Sequence, residues 1–120
     1  MKLGVFTVPL GGMSLDEACA FLASKGVQMV EIGCGGCPGK AHCDPEVLLN
    51  DDEKCREFLN TIHKHGLQIS ALSAHGNMIH PDPEVAAMYE KDFTATLEYQ
   101  WNDVLIPTGK KRPLSQESTM

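Results

Sequence analysis

The chain has 120 residues, five of them cysteine, with a formal net charge of −6 and a hydrophobic fraction of 42%. That bounds it to one domain and leaves no apolar run near the ~18 residues of a membrane-spanning helix. The acidity argues against a nucleic-acid surface, which needs a basic patch.

Lys110-Lys111-Arg112 is the one basic cluster and reads as a solvated tail. The N-terminus has one basic residue, an apolar run too short for a signal peptide and no small-residue cleavage site. The expected setting is cytoplasmic, where the cysteines stay reduced.

In chain order, Leu3 to Val8 is a short apolar run bounded by Pro9, Gly11 and Gly12, and predicts a first strand. Ser14 and Glu17 form a capping-box pattern. Leu15, Ala18, Cys19 and Leu22 follow at helical spacing, and Gly26 ends that helix as a left-handed residue would. Val27 to Gly33 predicts a second strand, nearly all apolar, as expected of a strand covered on both faces. Glu31 is its charged exception, close to the carboxyl end, where a side chain can point into a site.

Cys34 to Pro45 predicts an irregular loop from its glycines and prolines. Cys34, Cys37, His42 and Cys43 could make a tetrahedral zinc set, although adjacent His42 and Cys43 lack the spacer that lets two ligands converge. The glycines alternatively bring backbone amides close to a ligand. Asn50 to Glu53 starts a second helix with acid in its first turn. Its buried stripe is Cys55, Phe58, Leu59 and Ile62, with His63 and His65 in the last turn, and Gly66 stops it.

Leu67 to Ala74 predicts the third strand, and it runs into His75-Gly76-Asn77 and His80-Pro81-Asp82-Pro83. Imidazoles, an amide and a carboxylate gather where a strand ends and a helix begins, the place where α/β proteins bind ligands. Asp82-Pro83-Glu84 caps a third helix, with Val85, Met88, Tyr89, Phe93 and Leu97 as a loose apolar face. Alternating strands and helices imply an α/β fold with a parallel sheet and right-handed crossovers.

Three pieces together resemble the sugar phosphate isomerase/epimerase family: Val30-Glu31-Ile32-Gly33, the glycine-rich loop from Gly35 to Cys43, and Ser73-Ala74-His75-Gly76-Asn77 with His80-Pro81. These are xylose isomerase-like TIM barrels, in a superfamily shared with endonuclease IV. The resemblance runs from Met1 to about Thr96. It implies a sugar or sugar phosphate as substrate and a divalent metal ion (Mn, Mg, Co or Zn) as cofactor. The implied chemistry is proton transfer between adjacent sugar carbons, with a carboxylate base and metal-stabilised enediolate charge.

By the same resemblance, His75 faces the active-site mouth at the end of strand three, where its endonuclease IV counterpart is a metal ligand. Glu31 and His80 would be sugar or phosphate contacts at that mouth, and Asn77 would hold a loop or a hydroxyl. The family carries an aromatic residue where Cys37 stands here.

A full barrel needs eight βα units and ~250 residues. The fold class expected here is therefore a partial (β/α)8 TIM barrel of about three βα units over residues 1–97, with residues 98–120 an atypical polar tail. No complete catalytic set is present. A truncated or frame-shifted barrel is the expectation, with a purposeful short variant as the alternative. Such a variant would be a sugar-phosphate-binding module, or a half-barrel self-associating through its open sheet edges.

Overall fold

The computed structural model describes residues 1–100. Strands β1 (Gly4–Phe6), β2 (Met29–Gly36) and β3 (Gln68–His75) form an open parallel sheet in the order β1-β2-β3. Helix α1 (Leu15–Ser24) connects β1 to β2. Helices α2 (Pro45–Asn50) and α3 (Asp52–Lys64) connect β2 to β3, and α4 (Pro83–Tyr99) follows β3. The fold is α/β.

Local chemistry sets most boundaries. Glu17 N–H donates to Ser14 Oγ (3.2 Å) and Ser14 N–H to Glu17 Oε2 (3.1 Å), closing the capping box at α1. Gly26 and Gly66 follow α1 and α3 at φ +82° and +76°, the left-handed conformation that lets the chain leave a helix. The α3 cap is Asp51, which accepts from Lys54 N–H at 3.1 Å, one residue later than the sequence pattern places it. Helix α2 falls partly within the expected loop. Asp44 caps it and Pro45 opens it, the same Asp-Pro-Glu arrangement that starts α4 at Asp82.

Val30, Ile32 and Cys34 of β2 share one apolar cluster with Cys19 and Leu22 of α1, Leu48 of α2, Cys55, Phe58 and Ile62 of α3, and Tyr99 of α4. Side chains alternate along a strand, so the helices cover one face of the sheet and Glu31 and Gly33 point to the other. Phe6 and Ala71 flank Glu31 in register on that face.

Several boundaries differ from the sequence pattern. β1 stops at Phe6, and a 3-10 turn with Pro9 inside it occupies Val8–Leu10. β2 starts at Met29 and continues through Cys34, Gly35 and Gly36, because Gly36 pairs with His75 across an irregularity in the ladder.

Helix α4 is turned relative to its apolar pattern. Asp92, Ala95, Thr96 and Tyr99 are buried. Met88, Phe93 and Leu97 are 52%, 40% and 43% exposed. Asp92 and Thr96 have polar partners at the end of β2, and Tyr99 packs edge-on against Phe58 with centroids 6.1 Å apart. Those contacts set the rotation, and they carry the packed unit two residues past Leu97. The tail expected from residue 98 lies, from 101 onward, outside the described residues. Among the described residues no helix is long and apolar enough to cross a membrane.

Candidate functional site

The sheet face away from the helices, which Val8 and Pro38 cover at Gly33, and the carboxyl ends of the strands collect the chemistry. Glu31 is half-buried there, and among the described residues its carboxylate has no hydrogen-bond or ion-pair partner. His75 ends β3 with an exposed side chain, equally unpartnered among the described residues. Ala71, Ser73 and His75 alternate onto the face that holds Glu31. Glu31 is in register with Ala71, though, so His75 lies four residues further along β3, roughly 13 Å at ~3.3 Å per residue. The two side chains share a face without touching.

Asn77 and His80 shape the β3–α4 turn. Ile79 N–H donates to Asn77 Oδ1 (3.1 Å), and His80 N–H to the Asn77 carbonyl (3.2 Å). Asp82 N–H donates to His80 Nδ1 (3.0 Å), and Glu84 N–H to Asp82 Oδ1 (2.9 Å). An accepting Nδ1 places the His80 proton on Nε2, and that edge remains for a ligand.

Asp92 is the best-connected polar group near the mouth. It is 7% exposed. Its Oδ2 accepts Gly36 N–H (2.8 Å), and its Oδ1 pairs with Lys40 Nζ (2.8 Å). Burial pushes the Asp92 carboxyl up, but the Lys40 ammonium and the Gly36 N–H outweigh it and hold the group below the usual carboxylate range. The bond to Asp92 in turn raises Lys40. Thr96 Oγ1 lies 3.5 Å from the Cys34 carbonyl and donates to the Asp92 carbonyl at 2.8 Å. The signal available in the sequence was a helical acid one turn from a threonine, both out of place on an otherwise apolar side.

Three amides of the glycine-rich segment are taken by protein acceptors. Gly36 N–H goes to Asp92, Cys37 N–H to the His75 carbonyl (2.7 Å), and Gly39 N–H to the Gly36 carbonyl (3.2 Å). Its glycines admit close approach of protein to protein: a Cβ on Gly33 would lie 2.8 Å from both Val8 and Pro38, and one on Gly35 2.8 Å from Asp92.

The Cys34, Cys37, His42 and Cys43 set is dispersed. Cys34 and Cys43 are buried in the core cluster. The bond to Cys34, followed by burial, pushes the Cys43 thiol far up, which keeps it protonated. Cys37 is exposed, its Sγ 3.8 Å from Tyr89 Oη, and this contact raises the Tyr89 hydroxyl. His42 is buried with both ring nitrogens engaged: Nε2 donates to the Met13 carbonyl (3.0 Å) and Nδ1 bonds Thr7 Oγ1 (3.1 Å). It braces the β1–α1 connection. His65, in the turn after α3, bonds Asp16 of α1 at 2.7 Å.

Among the described residues no three His, Cys, Asp or Glu side chains gather as a metal-binding group. His75 could supply one ligand and His80 Nε2 another; a complete shell is not assembled from this set. What the site can offer directly is a carboxylate on the sheet face away from the helices and two imidazole edges, one at the end of β3 and one in the β3–α4 turn.

The chain is 31% identical over 81 residues, 68% of its length, to a Bacillus subtilis (strain 168) protein named "Uncharacterized protein YfiH". It spans 26% of that relative's length. No protein-family model matches the chain, and no solved structure does.

Proposed function

We propose that residues 1–97 are the N-terminal βα units of a xylose isomerase-like (β/α)8 barrel of the sugar phosphate isomerase/epimerase family. In the whole barrel the activity would be metal-assisted proton transfer on a sugar or sugar phosphate. The observation that carries this reading is the arrangement of the sheet. Its three parallel strands run in sequential order with the helices on one face, while Glu31 on the opposite face and His75 at a strand end keep free polar groups. Barrels place ligands at that end of their strands.

In this reading Glu31, His75 and His80 Nε2 contact the sugar or its phosphate, Asn77 holds the turn that presents His80, and His75 is a metal ligand. Among the described residues no metal shell is complete.

The test is an NMR titration of the full 120-residue chain with ribulose 5-phosphate and fructose 6-phosphate, with inorganic phosphate as control, followed by Mn²⁺. The expected result is movement of the His75 and His80 ring signals with the sugar phosphates, and broadening of His75 by Mn²⁺ ahead of His63 and His65. Uniform or absent changes would sink the reading.

A second reading is favoured by the outer edges of β1 and β3, which have no strand partner among the described residues. Copies of the chain would associate through those edges.

A further inference from the structure

We propose that Asp92 is a positioning residue for the mouth: from the middle of α4 its carboxylate fixes the end of β2, and through β2 the placement of the His75 side chain. The inference rests on His75 facing the ligand.

Each link in the chain of contacts is a short one. Asp92 Oδ2 takes the Gly36 N–H at 2.8 Å. Gly36 pairs with His75, so closely that a Cβ on Gly36 would stand 2.2 Å from the His75 carbonyl oxygen. The next amide, Cys37 N–H, donates to that same carbonyl at 2.7 Å. One turn back on α4, Tyr89 fills the space beside Gly76, where a Cβ would come within 2.2 Å of its ring. Helix α4 therefore holds His75 from both sides, by Asp92 through β2 and by Tyr89 through Gly76.

The ladder is irregular here: Gly33 pairs with Ser73 and Gly36 with His75, so Cys34 and Gly35 of β2 stand against Ala74 alone on β3. Such bulges re-aim a side chain and need something to hold them. Packing alone does not call for a buried carboxylate, since an apolar residue of similar volume fills a core as well or better. The charge sits where the irregular end of β2 needs an acceptor.

The full 120-residue chain carries the test, with Asp92→Ala compared with Asp92→Asn, which keeps an oxygen able to accept the Gly36 N–H. Asp92→Ala should speed hydrogen exchange of the Gly36 and Cys37 amides by about tenfold or more, the loss of a charge-assisted bond. It should also move the His75 ring signals while those of His63 and His65 stay in place. Asp92→Asn should bring the His75 signals back toward native. A role confined to stability would leave the His75 ring unmoved in the folded variant, and that result overturns the proposal, as does an Asn variant no closer to native than Ala.

If Asp92→Ala does not fold, the double variant Asp92→Leu with Lys40→Met keeps the space filled without charge. Movement of the His75 ring then supports the proposal, and an unmoved ring overturns it. None of these readouts contains a sugar or a metal. A failed sugar phosphate titration with a displaced His75 ring would remove the function and keep the positioning role; binding with an unmoved ring would do the reverse.

Discussion

Gly36→Ala should be among the most damaging small substitutions in this chain, and Gly66→Ala is its control. Both glycines have a left-handed backbone, φ +64° and +76°. Alanine there costs about 1–2 kcal/mol at either position. At Gly66 a Cβ meets nothing within 4 Å, so the cost should end there. At Gly36 the Cβ would stand 2.2 Å from the His75 carbonyl oxygen and 2.9 Å from its carbon. Those atoms are backbone and cannot swing aside, so the end of β2 must move off β3. Two bonds go with it, Cys37 N–H to His75 O and Gly36 N–H to Asp92. Their net contributions are about 1 kcal/mol for the neutral one and about 1.5–3 kcal/mol for the charged one.

The sum for Gly36→Ala is about 3.5–6 kcal/mol, against about 1–2 kcal/mol for Gly66→Ala. At about 2.1 cal/mol/K of unfolding entropy per residue, each kcal/mol lowers the melting temperature of this chain by about 4 °C. Urea unfolding followed by circular dichroism reads both variants on one scale, with an unchanged m-value confirming that stability alone has moved. Equal destabilisation by the two substitutions would refute the claim that β2 extends to Gly36 and is clamped on His75.

Four further outcomes are expected. Ser14→Ala should cost about 1 kcal/mol in the same urea assay, from loss of the α1 cap, and no measurable cost would contradict the capping box. His42→Ala should cost about 2–3 kcal/mol, because the buried Thr7 hydroxyl loses its partner; a cost at the level of a surface substitution would remove His42 as a brace.

The Asp92 value lies below its ordinary 3.8, so its stabilisation is present at neutral pH and lost as the pH falls through the folded value; Lys40, raised above 10.5, contributes below that value and loses its share as the pH rises through its own. Asp92→Asn should flatten the acid limb of a stability-versus-pH curve, and an unchanged limb would assign it to other groups. Sedimentation velocity should show concentration-dependent association that Ser70→Lys, at an exposed position of the edge strand β3, suppresses; a monomer at every concentration would end the assembly reading.

The order of the three strands and of α1, α3 and α4 was legible in the sequence because it is written in short-range chemistry; α2 and the 3-10 turn at Val8–Leu10 were not read there. Ser14 with Glu17, Asp82 with Pro83, and Gly26 and Gly66 after their helices act over three or four residues. The apolar runs of β2 and β3 and the Cys55, Phe58, Ile62 stripe of α3 follow from period alone. The candidate residues Glu31 and His75 could also be picked out, since a charge late in an apolar strand and an imidazole at a strand end stand out against their neighbours.

Tertiary structure decided what depends on distant partners. The rotation of α4 turns on Gly36, 56 positions away from Asp92, and hydrophobic periodicity contains no record of that bond. It therefore pointed to Phe93 and Leu97 as buried, where Asp92 and Thr96 are. The length of β2 depends on the pairing of Gly36 with His75, which overrides the loop preference of glycine. The sequence could only weigh His42 with Cys34, Cys37 and Cys43 as a zinc set, already poorly spaced, because it shows neighbours, while the His42 ring bonds Thr7 and Met13 on a different part of the chain. Caps and periods are local and additive, and a single sequence carries them. Which polar groups meet across the fold is set by chain crossing, and only the folded molecule contains it.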